Sequence, residues 1–212
     1  MKVAIDFGIS NTDIAVSNNA NVDFFTIPST KINHLILDEI FEQINIDIGL
    51  IERIAVTGGK SDSLKSIYKT IEVIKINEAD AIGNGVIEIY STHEPFVAIS
   101  AGTGTACIYH QDGEFNYIGG IAIGGGTIKG LSNLSLNSSS IDELTKKALL
   151  GNRDNIDLLI GDVVNDIGVL NPSVTASNFA KLKKGDDVSE NDIAAAIFNM
   201  IGEVIGTIAY LN

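Results

Sequence analysis

The sequence has no tryptophan, one cysteine, three prolines and only 6% aromatic residues. With so few rings, Ile, Val, Leu and Ala have to fill any core. Cys107 has no partner in the chain, so an intrachain disulfide is excluded, and a reducing compartment, the cytoplasm, is the simplest home. Cations are scarce too: 14 Lys and Arg stand against 27 Asp and Glu, for a net charge of −13. A chain this acidic lacks the basic face that nucleic acid or an anionic membrane needs, so neither is an expected partner. An anionic metabolite stays possible, because a local cradle of N–H groups with Mg²⁺ can overrule net charge. No leader peptide and no apolar run of membrane-spanning length is read from the sequence, and a soluble cytoplasmic protein is expected. At 45% hydrophobic residues over 212 positions, the chain can bury a sizeable core as one large domain or two small ones.

Glycine is what the chain has in quantity. Nine glycines lie between Ile99 and Leu131, at turns between short apolar runs. Phe96–Ser100 reads as a strand, Ala101–Thr105 as a tight turn, Ala106–His110 as the returning strand. Asp112–Gly113 is a hairpin turn leading into a third strand, Phe115–Ile118. A turn such as Gly102–Thr103–Gly104–Thr105 can aim several backbone N–H groups at one anion, with the hydroxyls of Thr103, Thr105 and Thr127 as further donors. The same residues also suit a hairpin followed by a close crossing of two elements, and both readings stand at this point.

The pattern has a precedent ninety residues earlier. Met1–Phe7, Asp13–Val16 and Val22–Ile27 read as a three-stranded meander, with its first turn at Asp6–Thr12 and its second at Asn18–Asn19. The first turn sets an acid at a strand end beside Gly8, Ser10, Asn11 and Thr12. It fits a phosphate or hydrated Mg²⁺ site, and it fits an ordinary polar turn equally well. Next come a helix after an Asn33 cap, a strand at Arg53–Val56, a short helix at Asp62–Tyr68 and a strand at Ile71–Ile76. Glu78 then stands at a strand-to-helix junction. A carboxylate there is placed to act as a general base, or simply to favour the helix dipole. Beyond Gly130 the spacing predicts helices at Ile141–Leu150 (capped by Ser140), Asp157–Val164, Thr175–Lys183 and Glu190–Tyr210, the last buried. Leu134–Ser140 is a Ser-rich low-complexity segment. The three histidines are far apart and read as structural or surface residues.

Taken together, Asp6-x-Gly8, Thr57–Gly59, Glu78–Ala81, Gly102–Thr105, Gly119–Gly120 with Gly124–Thr127, Gly151–Leu158, Thr175–Phe179 and Gly202–Val204 resemble type II pantothenate kinases in order and spacing. The resemblance implies an α/β, actin-like (ribonuclease H-like) fold of duplicated mixed sheets flanked by helices. Residues 1–92 would form the first lobe and 93–212 a second lobe that is incomplete, since family members continue through another strand, glycine loop and helix. It implies ATP-dependent phosphorylation of pantothenate, the first step towards coenzyme A, in a cytoplasmic homodimer. Glu78 would be the catalytic base. Asp6, Gly8, Ser10, Asn11 and Thr12 would form the first phosphate loop, with Asp6 holding Mg²⁺ through water. Gly102, Thr103, Gly104, Thr105, Gly125, Gly126 and Thr127 would form the second. Tyr117, Gly119 and Arg153 would face the substrate. Two positions depart from the family pattern: Asp13 stands where a lysine is expected, and Tyr117 where an arginine would hold the pantothenate carboxylate. The alternative is therefore a non-catalytic or different-substrate actin-like relative that binds a metabolite or nucleotide.

Overall fold

The computed structural model describes residues 1–18, 21–59, 61–136, 138, 140–164 and 170–211. The chain forms two compact units, Met1–Ala98 with Ile108–Tyr117, and Ile99–Cys107 with Ile118–Asn212.

The first unit is built on a six-stranded mixed sheet. Its N-terminal meander is β1 (Lys2–Phe7), β2 (Asn11–Asn18) and β3 (Asn21–Pro28), paired antiparallel in the order expected. Of the second turn of the meander, Asn19 lies outside the described residues. Helix α1 (Ile36–Gln43) leads to β4 (Arg53–Thr57), then β5 (Ile67–Tyr68) and β6 (Ile71–Lys75), giving the order β3-β2-β1-β4-β6-β5. The pairs β1–β4 and β4–β6 are parallel, and a parallel neighbour needs a crossover, which for β4 is the segment carrying α1. Strict alternation makes one sheet face apolar: Val3, Ile5 and Phe7, then Ile14 and Val16, Ile54 and Val56, Ile71 and Val73 are all buried. The Ile36, Leu37, Ile40 and Phe41 stripe of α1 covers that face. Each such side chain contributes roughly 1.5–3 kcal/mol when fully buried.

Two local expectations are corrected here. Asn33 does not cap α1. Its Oδ1 accepts the Leu35 N–H at 2.6 Å in a turn one step earlier, and the helix opens at Ile36. The helix expected at Asp62–Tyr68 is instead a 3₁₀ turn, Ser61–Ser63, followed by β5, whose Ile67 and Tyr68 pair with Glu72 and Ile71. Lys69, at φ 54°, makes the tight reversal that pairing needs.

Helix α2 (Glu78–Tyr90) follows β6, with Asn77 as its cap accepting the Ala79 N–H at 2.8 Å. A three-stranded sheet comes next: β7 (Phe96–Ala101), β8 (Thr105–Gln111) and β9 (Glu114–Ile121). Its hairpin turn has Asp112 at φ 53° and Gly113 at φ 81°, as the Asp-Gly pair predicts.

The second unit continues with α3 (Gly125–Leu136), α4 (Ile141–Leu150), a 3₁₀ turn at Arg153–Asn155, β10 (Leu158–Leu159), α5 (Ile160–Val163), β11 (Thr175–Ser177) and α6 (Glu190–Leu211). Ser140 caps α4 by accepting the Glu143 N–H, as read from the sequence. Positions 137 and 139 of the Ser-rich segment lie outside the described residues. The helices expected at Asp157–Val164 and Thr175–Lys183 give way to β10 and β11, which pair with each other antiparallel. Only the single turn of α5 remains helical. α6 is as long as expected, but its burial is not: Ala194, Ala196, Ile197 and Ile201 are buried, while Tyr210 and Leu211 are open to solvent. By length and composition α6 could cross a membrane, which corrects the expectation that no apolar run reaches that length. Here its first half packs on Leu136 and Leu144 instead.

Candidate active site

The first glycine turn stands at the C-terminal end of β1. Asp6 lies on the sheet face opposite the core, directly across from Asp13 on β2 and Thr57 on β4, and Asp13 is across from Thr26 on β3. The row thus runs Thr26, Asp13, Asp6, Thr57. Thr26 donates its hydroxyl to Asp13 Oδ1 at 2.6 Å. Thr57 Oγ1 is buried without a hydrogen-bond partner among the described residues. Like charges on facing strand positions repel. Desolvation, then the charges of Glu78 and Asp13, raise the Asp6 carboxyl above its ordinary value. Beside this row the same face opens into a groove of about 510 Å³, floored by Ala4, Ala15 and Ala55 and walled by Phe24, Ile76 and Ala81.

The turn itself is tied down by a residue that sequence reading did not single out. Ser29 donates its hydroxyl to Gly8 O at 2.7 Å and its N–H to Ser10 O at 3.1 Å, and its Oγ lies 3.1 Å from Thr12 Oγ1. Thr12 is buried and spends its hydroxyl there, whereas Ser10 and Asn11 face solvent. Gly8 has no room for a side chain, since a Cβ would stand 2.6 Å from Asn11 O. Gly58, at φ 91°, is the second such position: a Cβ would strike Phe7 O at 2.5 Å and Asp6 Oδ1 at 2.7 Å. Its place in Thr57–Gly58–Gly59 was the only sequence signal for it. Glu78 is the first residue of α2 in this same unit, near enough for its charge to act on Asp6. Tyr117, on β9, also belongs to this unit and is 64% exposed.

The second glycine turn, Gly102–Thr105, belongs to the second unit with Gly119, Gly125–Thr127 and Arg153. The start of α3 is fastened to it. Gly125 N–H donates to Gly102 O at 2.8 Å and Gly126 N–H to Thr103 O at 3.0 Å. Thr105 is buried and donates its hydroxyl to Ile123 O at 2.7 Å. Thr127 Oγ1 accepts the Gly124 N–H at 3.3 Å. A Cβ on Gly124 would sit 2.8–2.9 Å from three carbonyl oxygens of the turn, and one on Gly126 would sit 2.7 Å from Thr103 Cγ2. These glycines therefore permit backbone to pack on backbone, and the first N–H groups of the helix are spent inside the protein.

Arg153 is engaged within its own unit. Its guanidinium donates to Thr175 Oγ1 at 2.6 Å and to Ser173 O at 2.7 Å, and it stands 3.6 Å from the fully buried Asp157 carboxylate. Asp157 also accepts the Phe179 N–H at 2.8 Å and Asn199 Nδ2 at 3.2 Å. Thr175 donates in turn to Glu203, which Asn178 also contacts. Burial works to raise the Glu203 carboxyl, but hydrogen bonds from Thr175, Asn178 and Asn199, with the Arg153 charge, hold it below its ordinary value.

The Fumble family model matches residues 86–212. A type II pantothenate kinase of Bacillus anthracis is 31% identical over 212 residues, covering 96% of this chain and 74% of its own length. The chain belongs to the type II pantothenate kinase family. Another type II pantothenate kinase, from Oceanobacillus iheyensis, is 28% identical over 99% of this chain and 78% of its own length. Among solved structures, the activator of 2-hydroxyisocaproyl-CoA dehydratase from Clostridium difficile, with bound ADPNP, superposes with a TM-score of 0.64 at 14% identity, covering 98% of this chain and 74% of that one. A putative 2-dehydro-3-deoxygalactonokinase from Sinorhizobium meliloti gives 0.54 at 10% identity over 99% and 81%. These likenesses bear out the actin-like fold expected from the sequence. The two glycine turns and Glu78, quoted from the sequence for their resemblance to type II pantothenate kinases, thus belong to a chain of that family.

Proposed function

We propose that this chain transfers the γ-phosphoryl group of ATP to the hydroxyl of pantothenate, the first step of coenzyme A biosynthesis, in the cytoplasm. The observation that carries this reading is the convergence, in one unit, of Glu78 at the start of a capped helix with Asp6 at the end of β1. Glu78 takes the proton of the acceptor hydroxyl. The freed oxygen forms the new O–P bond as the bond to the β-phosphate oxygen breaks, and ADP leaves. Such transfer needs positioning and charge neutralisation more than covalent chemistry. Asp6, Gly8, Ser10, Asn11 and Thr12 form one phosphate loop. Gly102–Thr105, braced by Gly125–Thr127, form the other. Gly119 and Arg153 belong to the substrate side.

The donor set suits Mg²⁺. Two carboxylates face each other across β1 and β2, one of them with a raised proton affinity, and a hard divalent cation takes oxygen ligands while keeping several waters. Asp6 would hold it through water, and when bound the ion neutralises developing phosphate charge. A homodimer is part of the reading, supported by the solvent-facing apolar residues towards the end of α6.

Glu78→Gln is expected to lower turnover by about 10²–10⁴-fold while ATP·Mg²⁺ still binds by calorimetry. Undiminished turnover would remove Glu78 from the mechanism, and absence of ATP binding would remove the kinase reading. A second reading, phosphorylation of a different hydroxyl compound, is favoured by the exposed Tyr117, where the family pattern has an arginine. Turnover measured across pantothenate, hydroxy acids and sugars separates the two.

A further inference from the structure

Helix α2 starts with Glu78, and its one buried residue is Gly83. The Gly83 backbone lies close against the Phe115 ring of β9. A Cβ built there would overlap one edge of the ring, 2.6 Å from Cγ and closer still to Cδ1 and Cε1. That ring cannot easily yield. It packs tilted on His110 at 5.0 Å and 32°, and His110 stacks on Phe96 at 4.7 Å and 24°. His110 is only 2% exposed, and its Nδ1 lies 3.3 Å from Glu94 O. The hairpin turn at Asp112–Gly113 fixes the register of β8 and β9, which carry His110 and Phe115, while Phe96 stands on β7. All of these residues belong to the first unit. Gly85, two residues further along the same helix, has open space where its side chain would be. The requirement for glycine is thus particular to position 83 and is not a property of the helix.

We infer that Gly83 and Phe115 are positioning residues for phosphoryl transfer. The ring stack of Phe96, His110 and Phe115 forms a seat that α2 fits only without a side chain at 83, and the seat sets where Glu78 stands. The inference rests on Glu78 acting as the base. A helix moves nearly as a rigid rod, and Glu78 lies about 7.5 Å along the axis from Gly83 at roughly 1.5 Å per residue. Restoring van der Waals distance between a methyl group and the ring shifts the helix start as well. A misplacement of about 1 Å in a reacting group costs about 10²-fold in rate.

The test compares Gly83→Ala, Gly85→Ala, Phe115→Ala, the Gly83→Ala/Phe115→Ala double variant and Glu78→Gln. Each is measured by steady-state kinetics with ATP and pantothenate, ATP·Mg²⁺ calorimetry and circular-dichroism melting. Gly83→Ala is expected to lose about 10²-fold in kcat with ATP affinity unchanged, and Gly85→Ala to keep wild-type kcat. In the Phe115→Ala background the Gly83→Ala change should cost nothing further, because the ring it strikes is gone. Wild-type kcat in Gly83→Ala, or a loss that removing the ring does not relieve, overturns the inference. If Gly83→Ala does not fold, Phe115→Ala decides: lower kcat at unchanged ATP affinity supports the seat, and unchanged kcat overturns it. Glu78→Gln separates the two levels. If it keeps turnover, the base assignment falls and the inference with it. If it is inactive while Gly83→Ala is fully active, the seat alone falls.

Discussion

In the first unit, among the described residues, thirteen buried apolar residues from four strands and α1, with Ile44 and Ile51 beside them, form one cluster. In the second, the buried cluster among the described residues is Leu136, Leu144 and Ala194, with a fringe of half-buried neighbours. What the second unit has instead is a polar web. Arg153, Asp157, Thr175, Asn178, Asn199 and Glu203 are joined by hydrogen bonds that tie the 3₁₀ turn and β11 to α6. Burial is non-directional and insensitive to pH, whereas hydrogen-bonded charges are directional and stop working when a member titrates. One family fold thus rests on two kinds of cohesion, and the two kinds should fail under different conditions.

The largest effect expected is at the centre of the web. Asp157→Ala would strand the Arg153 guanidinium, the Phe179 N–H and the Asn199 amide, costing about 3–5 kcal/mol, with hydrogen exchange rising first in α6. The counterpart in the first unit is Ile54→Ala, fully buried in the sheet. It should cost about 2–5 kcal/mol, with exchange rising in β1 and β4 and with no dependence on pH between neutral and mildly acidic. If Asp157→Ala proves milder than a surface change, the web is ornamental and the contrast collapses. The smallest effect sharpens the contrast most. Because the folded-state pKa of Glu203 lies below its unfolded value, its contribution is complete above the ordinary carboxylate range and is lost as pH falls through the folded value. Glu203→Gln should therefore melt below the wild type at neutral pH, and the two melting curves should converge on acidification. A gap that stays constant with pH would show that the Glu203 charge plays no part.

The first unit was the more legible of the two. Met1–Phe7 and Asp13–Val16 read as strands of a meander, and Asp112–Gly113 announced its hairpin, because these signals are local. The helix expected at Asp157–Val164 failed for the opposite reason. Leu158 is a strand residue only because Ser177 lies across from it, a partner that no periodicity within the segment can announce. α6 misled in a similar way: its composition says apolar, but composition does not say how many of its faces the chain covers. At the site, the positions of Asp6 and Glu78 were readable as strand-end and helix-start acids. The work of the glycines was not. Gly125 and Gly126 read as phosphate-loop residues, and the structure places them where backbone meets backbone. Ser29, which ties the first loop, gave no sign at all, since a serine just after a strand is ordinary.

The chain passes between its units three times, inside β7, β8 and β9. That route bears on how the protein can be cut into pieces. A fragment ending at Tyr117 carries all of the first unit but also takes Ile99–Cys107 with it. The complementary fragment keeps α3 and loses the Gly102–Thr105 turn to which the start of that helix is fastened. No single break in the gene yields both units whole, so a donor helix and its acceptor carbonyls would have to find each other again as separate molecules.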